Sequence, residues 1–126
     1  MSPVMLINTM QIRQGQLEKF KESVKKAVKF VEANGPQVMV QVYIDAKNMR
    51  AYSFQLYRDS ESILAHWKMS ASHIDDVMLH STVERLDVYG EPNDAVMEGL
   101  RGLSEDGVTL TVTPHLYGFS RFRTDE

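Results

Sequence analysis

His66, His73 and His80 stand seven residues apart, a spacing close to two turns of α-helix. On one unbroken helix they would form a row, each about 10 Å from the next. That is too far for a shared metal ion. Helical zinc ligands sit three or four residues apart, and neither HxxxH nor HxxE is present, so no metal site is expected. Two arrangements are open. If the helix runs through Ser70-Ala71-Ser72, all three histidines lie along a polar, solvent-facing stripe. If it breaks there, His66 and His73 can flank the mouth of a cavity, where imidazole suits proton transfer from an acidic phenol or a carbon acid.

Four other side chains could assist. Asn8 lies in the strand-like run VMLINTMQI, on the same face as Leu6, Met10 and Ile12. An amide on an apolar face is buried only when something bonds it, be that neighbouring backbone or a ligand. Trp67 either fills a helix–sheet core or lines a pocket. Arg58, at a strand end, either pairs with Asp59 or Glu61 on the surface or clamps an anion at a pocket rim. Tyr57, with Tyr43, Tyr52 and Tyr117, offers an aromatic cavity wall or ordinary strand packing. No GxSxG, GxxxxGK[ST] or GxGxxG occurs, so serine-hydrolase, P-loop and dinucleotide chemistry find no support.

The elements that must hold these groups follow from periodicity. Val4 to Ile12 reads as a strand. Leu17, Phe20, Val24, Ala27, Val28 and Val31 recur at three- and four-residue spacings and predict an amphipathic helix. Asn34-Gly35-Pro36 should close it, with Asn34 or Gly35 taking a left-handed cap. Gln37 to Ile44 and Met49 to Tyr57 alternate as strands joined through Asp45 to Asn48. Asp59 then caps a helix bearing Ile63, Leu64 and Trp67, and Glu61 complements its dipole. Thr82 to Tyr89 reads as a fourth strand. A short helix on Val96, Leu100 and Leu103 follows Pro92, weakened by Gly99 and Gly102. Val108 to Thr113 and His115 to Phe122 predict two short final strands, and Arg123 to Glu126 a frayed tail.

Composition narrows the field. At 126 residues, 43% hydrophobic and 25% charged, the chain suits one domain, residues 1–126. Fourteen basic against 17 acidic residues leave a net charge of −3, which gives no drive toward nucleic acid or an anionic membrane. Cysteine is absent, so thiol catalysis, thiolate metal sites and disulfides are excluded. There is no signal-peptide pattern and no run of about 18 apolar residues, and a cytoplasmic protein is expected. Eight methionines suit irregular apolar ligands or irregular cores.

The order β-α-β-β-α-β with a short C-terminal helix and a β extension is that of a ferredoxin-like α+β sandwich. Its helices cover one face of the sheet. The other face also alternates apolar residues, which predicts a homodimer.

The run from Leu56 to His73 (LYRDSESILAHWKMSASH) joins a strand ending in an aromatic, an Asp-Ser-Glu-Ser cap, Ala65-His66 and a second histidine seven residues on. With the opening strand, Gly15 and the late Val88-Tyr89-Gly90, it resembles the antibiotic biosynthesis monooxygenase-like family of dimeric α+β barrels. The resemblance covers Val4 to Gly90 and implies fold more than reaction, since such families host cofactor-independent oxygenases, heme-degrading oxygenases and proteins of unassigned role. It implies a cavity-forming homodimer that binds a small aromatic or apolar ligand and oxidises it with O₂ and no bound cofactor. On that reading His66 and His73 would be catalytic, and Asn8, Trp67, Arg58 and Tyr57 would contact the ligand. An alternative is heme binding and ring oxidation. Asn8 and Trp67 match the asparagine and tryptophan of heme-degrading relatives, while His73 comes too early and His80 too late for the axial histidine. A third class is a non-catalytic binding or assembly module whose cavity is filled by side chains.

Overall fold

A computed structural model describes residues 3–105 and 107–121. The chain runs β1 (Val4–Ile12), α1 (Leu17–Asn34), β2 (Met39–Asp45), β3 (Arg50–Tyr57), α2 (Ser60–Met69), α3 (Ala71–Met78), β4 (Ser81–Tyr89), α4 (Asp94–Leu103) and β5 (Thr109–Thr113). The five strands form one sheet in the order β2-β3-β1-β4-β5. All pairings are antiparallel except the parallel β4–β5 pair. This is the ferredoxin-like α+β fold with a fifth strand added beside β4.

Strand alternation assigns the faces. Val4, Leu6, Asn8, Met10 and Ile12 point to the helical layer, and the first four pair with Tyr57, Gln55, Ser53 and Ala51 of β3. Two apolar clusters pack beneath the helices. One gathers Val4, Leu6, Ile63, Leu86, Val88, Val96 and Leu100, and the other Met10, Ile12, Phe20 and Ala51. Burying a side chain of this size stabilises by about 2 kcal/mol.

Local chemistry explains the ends of the elements. The Asp59 carboxylate accepts from the Ser62 amide at 2.9 Å and from the Ser62 hydroxyl at 2.8 Å, the cap expected for α2. Asn93 caps α4 by accepting from the Val96 amide at 3.0 Å. Gly35 closes α1 differently from expectation. It is extended (φ −86°, ψ 163°), and its amide donates to Val31 O at 2.7 Å. Glycine is needed there for room, because a Cβ would lie 2.8 Å from that carbonyl oxygen. Among the described residues other than glycine, Met49 (φ 53°), in the turn before β3, is the one in the left-handed region.

Two further expectations change. Residues 114–121 do not form a second final strand, and Leu116, Tyr117 and Phe119 are more than four-fifths exposed. Pro114 brings no amide to a ladder, and among the described residues the segment joins no strand pairing. Phe122 and the tail from Arg123 lie outside the described residues. Gly99, expected to weaken α4, has a packing role: a Cβ there would meet the Trp67 ring at 3.0 Å from Cη2 and closer still to Cζ3.

Among the described residues no helix is long and apolar enough to cross a membrane.

Candidate ligand-binding cavity

The helix carrying the histidines bends at Ser70. Backbone hydrogen bonds cross the bend, from Ser70 N to His66 O and from Ile74 N to Ser70 O, each 2.9 Å. Ser70 itself leaves the helical region (φ −103°, ψ 9°), which separates α2 from α3. The histidine row is therefore broken. α3 packs along α1, and beneath the two lies a cavity of about 120 Å³ over β1, β3 and β2.

Its walls are mostly apolar, with Val24, Val28 and Val31 from α1, Val40 and Val42 from β2, and Ile74 and Val77 from α3. Into this lining the fold brings Asn8, Gln37, Ser53, Gln55, His66, Ser70 and His73. Of the six residues that the resemblance implied for the site, Asn8, His66 and His73 meet at the cavity.

His66 is 8% exposed. Its Nδ1 lies 3.0 Å from Ser70 Oγ, and its ring packs against Tyr57 with centroids 6.0 Å apart. Nε2 has no hydrogen-bond partner among the described residues. Burial disfavours the imidazolium and pushes the His66 pKa down to about 4, so the ring is neutral at physiological pH. His73 is half-buried and stacks on Phe30 of α1, with centroids 4.6 Å apart. His80 lies past α3, its Nδ1 2.9 Å from Gln16 Oε1, and is not part of the lining.

The sheet supplies a polar stripe. Asn8 is level with Ser53 across the β1–β3 ladder. Gln55 Nε2 donates to Ser53 Oγ at 3.1 Å, and Gln55 Oε1 accepts from the Tyr57 hydroxyl and from Gln37 Nε2 at 3.3 Å. The side-chain carbonyl oxygens of Asn8 and Gln37 are shut from solvent without a donor. Burial raises the Tyr57 pKa, so its phenol keeps its proton.

Three other expected contacts lie elsewhere. Trp67 packs against the core cluster that includes Val96 and Leu100, and against Gly99 of α4, rather than in the cavity. Tyr57 is 1% exposed and belongs to the core, behind His66 and Gln55 of the lining. Arg58 is not part of the lining, and no ion pair forms at it among the described residues. Ser70, Gln37, Ser53 and Gln55 were not singled out from sequence. Ser70 had a signal, since position i+4 on a helix lies over His66.

Among the described residues no three His, Cys, Asp or Glu side chains form a metal-binding group.

No family model matches the chain, and no curated protein matches it. Solved structures do. MupZ from Pseudomonas fluorescens matches 94% of this chain over 94% of its own, with TM-score 0.73 and 16% identity. SnoaB from Streptomyces nogalater, a cofactor-independent oxygenase, matches 74% of this chain over 96% of its own, with TM-score 0.61 and 12% identity. A candidate antibiotic biosynthesis monooxygenase from Caulobacter crescentus CB15 matches 69% of this chain over 87% of its own, with TM-score 0.60 and 10% identity. At these identities the likeness is one of fold. The chain has the ferredoxin-like fold of the antibiotic biosynthesis monooxygenase-like proteins.

Proposed function

We propose that the chain is a homodimeric small-molecule oxygenase that needs no bound cofactor, with His66 as its proton acceptor. The observation that carries this reading is a neutral imidazole with an unpartnered Nε2, held by Ser70 at the wall of an otherwise apolar cavity. An engineered cavity of about 150 Å³ in another protein admits benzene, so a cavity of this size suits one ring or a short chain.

Chemistry follows from the groups present. A carbon acid R₂CH₂ gives a proton to His66 Nε2 and becomes a carbanion. The low pKa of the empty site opposes this, but the new anion beside the imidazolium offsets the cost. The carbanion passes one electron to O₂, and the resulting radical and superoxide combine as a hydroperoxide anion. That anion takes the proton back from His66 and loses water, so R₂CH₂ and O₂ become R₂C=O and H₂O. SnoaB, of like fold, is a cofactor-independent oxygenase, which supports the reaction class.

Oxygen uptake with 1,3-cyclohexanedione, a one-ring carbon acid, tests the proposal. Uptake should exceed the protein-free rate, fall at least tenfold in His66→Ala, and fall less in His73→Ala. Equal uptake by the wild type and both variants would end it.

Heme is less well served. Asn8 lines the cavity, but Trp67 packs against α4, and a porphyrin needs several times the room of one ring. The void beneath α1 and α3 also stands against a module whose cavity is filled by side chains.

A further inference from the structure

Two carbonyl oxygens in the cavity wall lack the donor that burial demands. Asn8 Oδ1 and Gln37 Oε1 are both shut from solvent and unbonded. Leaving such a group unpaired costs about 1–3 kcal/mol. Native proteins rarely carry that cost without reason, and here both residues line the same small cavity.

The surrounding network fixes what Gln37 offers. Ser53 Oγ accepts from Gln55 Nε2, which leaves Gln55 Oε1 to accept from Tyr57 and from Gln37 Nε2. Gln37 then has only its own Oε1 to present, and that is an acceptor. Asn8 has no hydrogen bond at either end of its amide among the described residues, so it presents a donor and an acceptor together. Asn8 is level with Ser53, and Gln37 is bonded to Gln55 two residues along β3. β3 runs between them, so Asn8 from β1 and Gln37 from the β2 side reach the cavity from opposite sides of that strand. Valines from α1 and β2 line the same space.

We infer that the cavity takes a single-ring ligand carrying two hydroxyl groups, one donating to Gln37 Oε1 and the other bonded to the Asn8 amide. A hydroxyl both donates and accepts, so it matches either orientation of Asn8. The apolar ring fills the space between the hydroxyls. This rests on the cavity reading above and narrows it to dihydroxylated monocycles, while leaving the oxidation step a separate matter.

Binding distinguishes the two. Titration calorimetry of the full chain under argon would compare hydroquinone, resorcinol, phenol and toluene, with no turnover required. At least one of the two diols should bind about tenfold more tightly than phenol, and phenol more tightly than toluene, at roughly 1.4 kcal/mol per tenfold. Gln37→Leu and Asn8→Leu should each remove about tenfold from the preferred diol and leave toluene unchanged or improved. Thermal unfolding of both variants should show that they fold, since leucine is close in size to either amide and Gln55 Oε1 keeps its bond from the Tyr57 hydroxyl when Gln37 is replaced. Equal binding of diols and toluene would overturn the inference and leave the apolar cavity intact. An unchanged diol preference in both variants would also overturn it. No binding by any of the four compounds would overturn it together with the cavity reading. Binding of the diols without oxygen uptake would support it and remove only the oxygenase.

Discussion

Ser70 Oγ lies 3.0 Å from Nδ1 of His66, and both residues are buried. The contact exists because Ser70 is one helical turn past His66 and is also the residue at which the helix bends. One side chain thereby marks the bend and holds the ring. With Nδ1 engaged, Nε2 is left for the cavity, so Ser70 acts as a positioning residue for the proposed base. Ser70→Ala should cost about 1 kcal/mol by urea unfolding at pH 8. A purely structural hydroxyl would do the same, so the deciding measurement is the ¹⁵N spectrum of the His66 ring. A single tautomer in the wild type should become a mixture in Ser70→Ala. Unchanged ring shifts would show that Ser70 does not set the tautomer.

Acid should destabilise the fold through His66. Its folded pKa of about 4 lies below the ordinary 6.5, so between these values the unfolded chain takes up a proton that the folded chain refuses. The stabilisation is complete above pH 6.5, drains as pH falls, and is gone below pH 4. A gap of this size corresponds to at most about 3 kcal/mol. Urea unfolding between pH 7 and pH 4 should show that loss in the wild type. In His66→Gln the same limb should be shallower by about that amount. Parallel curves would mean that His66 is protonated without penalty in the folded state.

The fold was largely legible because its signals are local. Asp59-Ser-Glu61 caps, the spacing along α1 and the alternation of β1 to β4 all act within a few residues, and each element appears where those patterns place it. The cavity was legible only in part. Asn8 stood out as an amide on an apolar face, whereas Gln37, Ser53 and Gln55 look like ordinary polar alternation until β1, β2 and β3 are assembled. Trp67 was harder still. Its neighbour is a glycine on α4, 32 residues away, and nothing local announces that contact. The run from His115 misled for the opposite reason: its alternation is strand-like, but a strand also needs a pairing partner, and among the described residues 114–121 join none.

Gly99 should be intolerant of a side chain. A Cβ would overlap the Trp67 ring, which already packs against the core cluster that includes Val96 and Leu100. Overpacking a tight contact of this kind costs about 1–3 kcal/mol. Gly99→Ala would also raise helix propensity by about 1 kcal/mol, so on an open helix face the same change would stabilise. The sign of the measured change decides between the two. Thermal unfolding should give a lower midpoint for Gly99→Ala and a partial return in the Gly99→Ala, Trp67→Leu double variant. A higher midpoint for the single variant would place Trp67 elsewhere.

The outward face of the sheet leads to the last prediction. On β3 the residues turned toward the helices are Ala51, Ser53 and Gln55, while Tyr52 and Phe54 point away from them. The larger apolar side chains thus lie on the uncovered side. They continue onto Met5 and Ile7 of β1 and Met39 and Tyr43 of β2, where Tyr43 is 57% exposed and stacks edge-on with Phe54 at 5.6 Å. A patch of that breadth on a free monomer is unusual, and a second copy presenting the same face would cover it symmetrically. Sedimentation at micromolar concentration should therefore give a dimer. Phe54→Asp would set two carboxylates against the partner's apolar face and should shift the equilibrium toward monomer by at least a hundredfold, since burying an unpaired charge costs several kcal/mol. Circular dichroism should show that the variant keeps its secondary structure. A wild-type monomer, or a dimer indifferent to Phe54→Asp, would mean that this face is not where two copies meet.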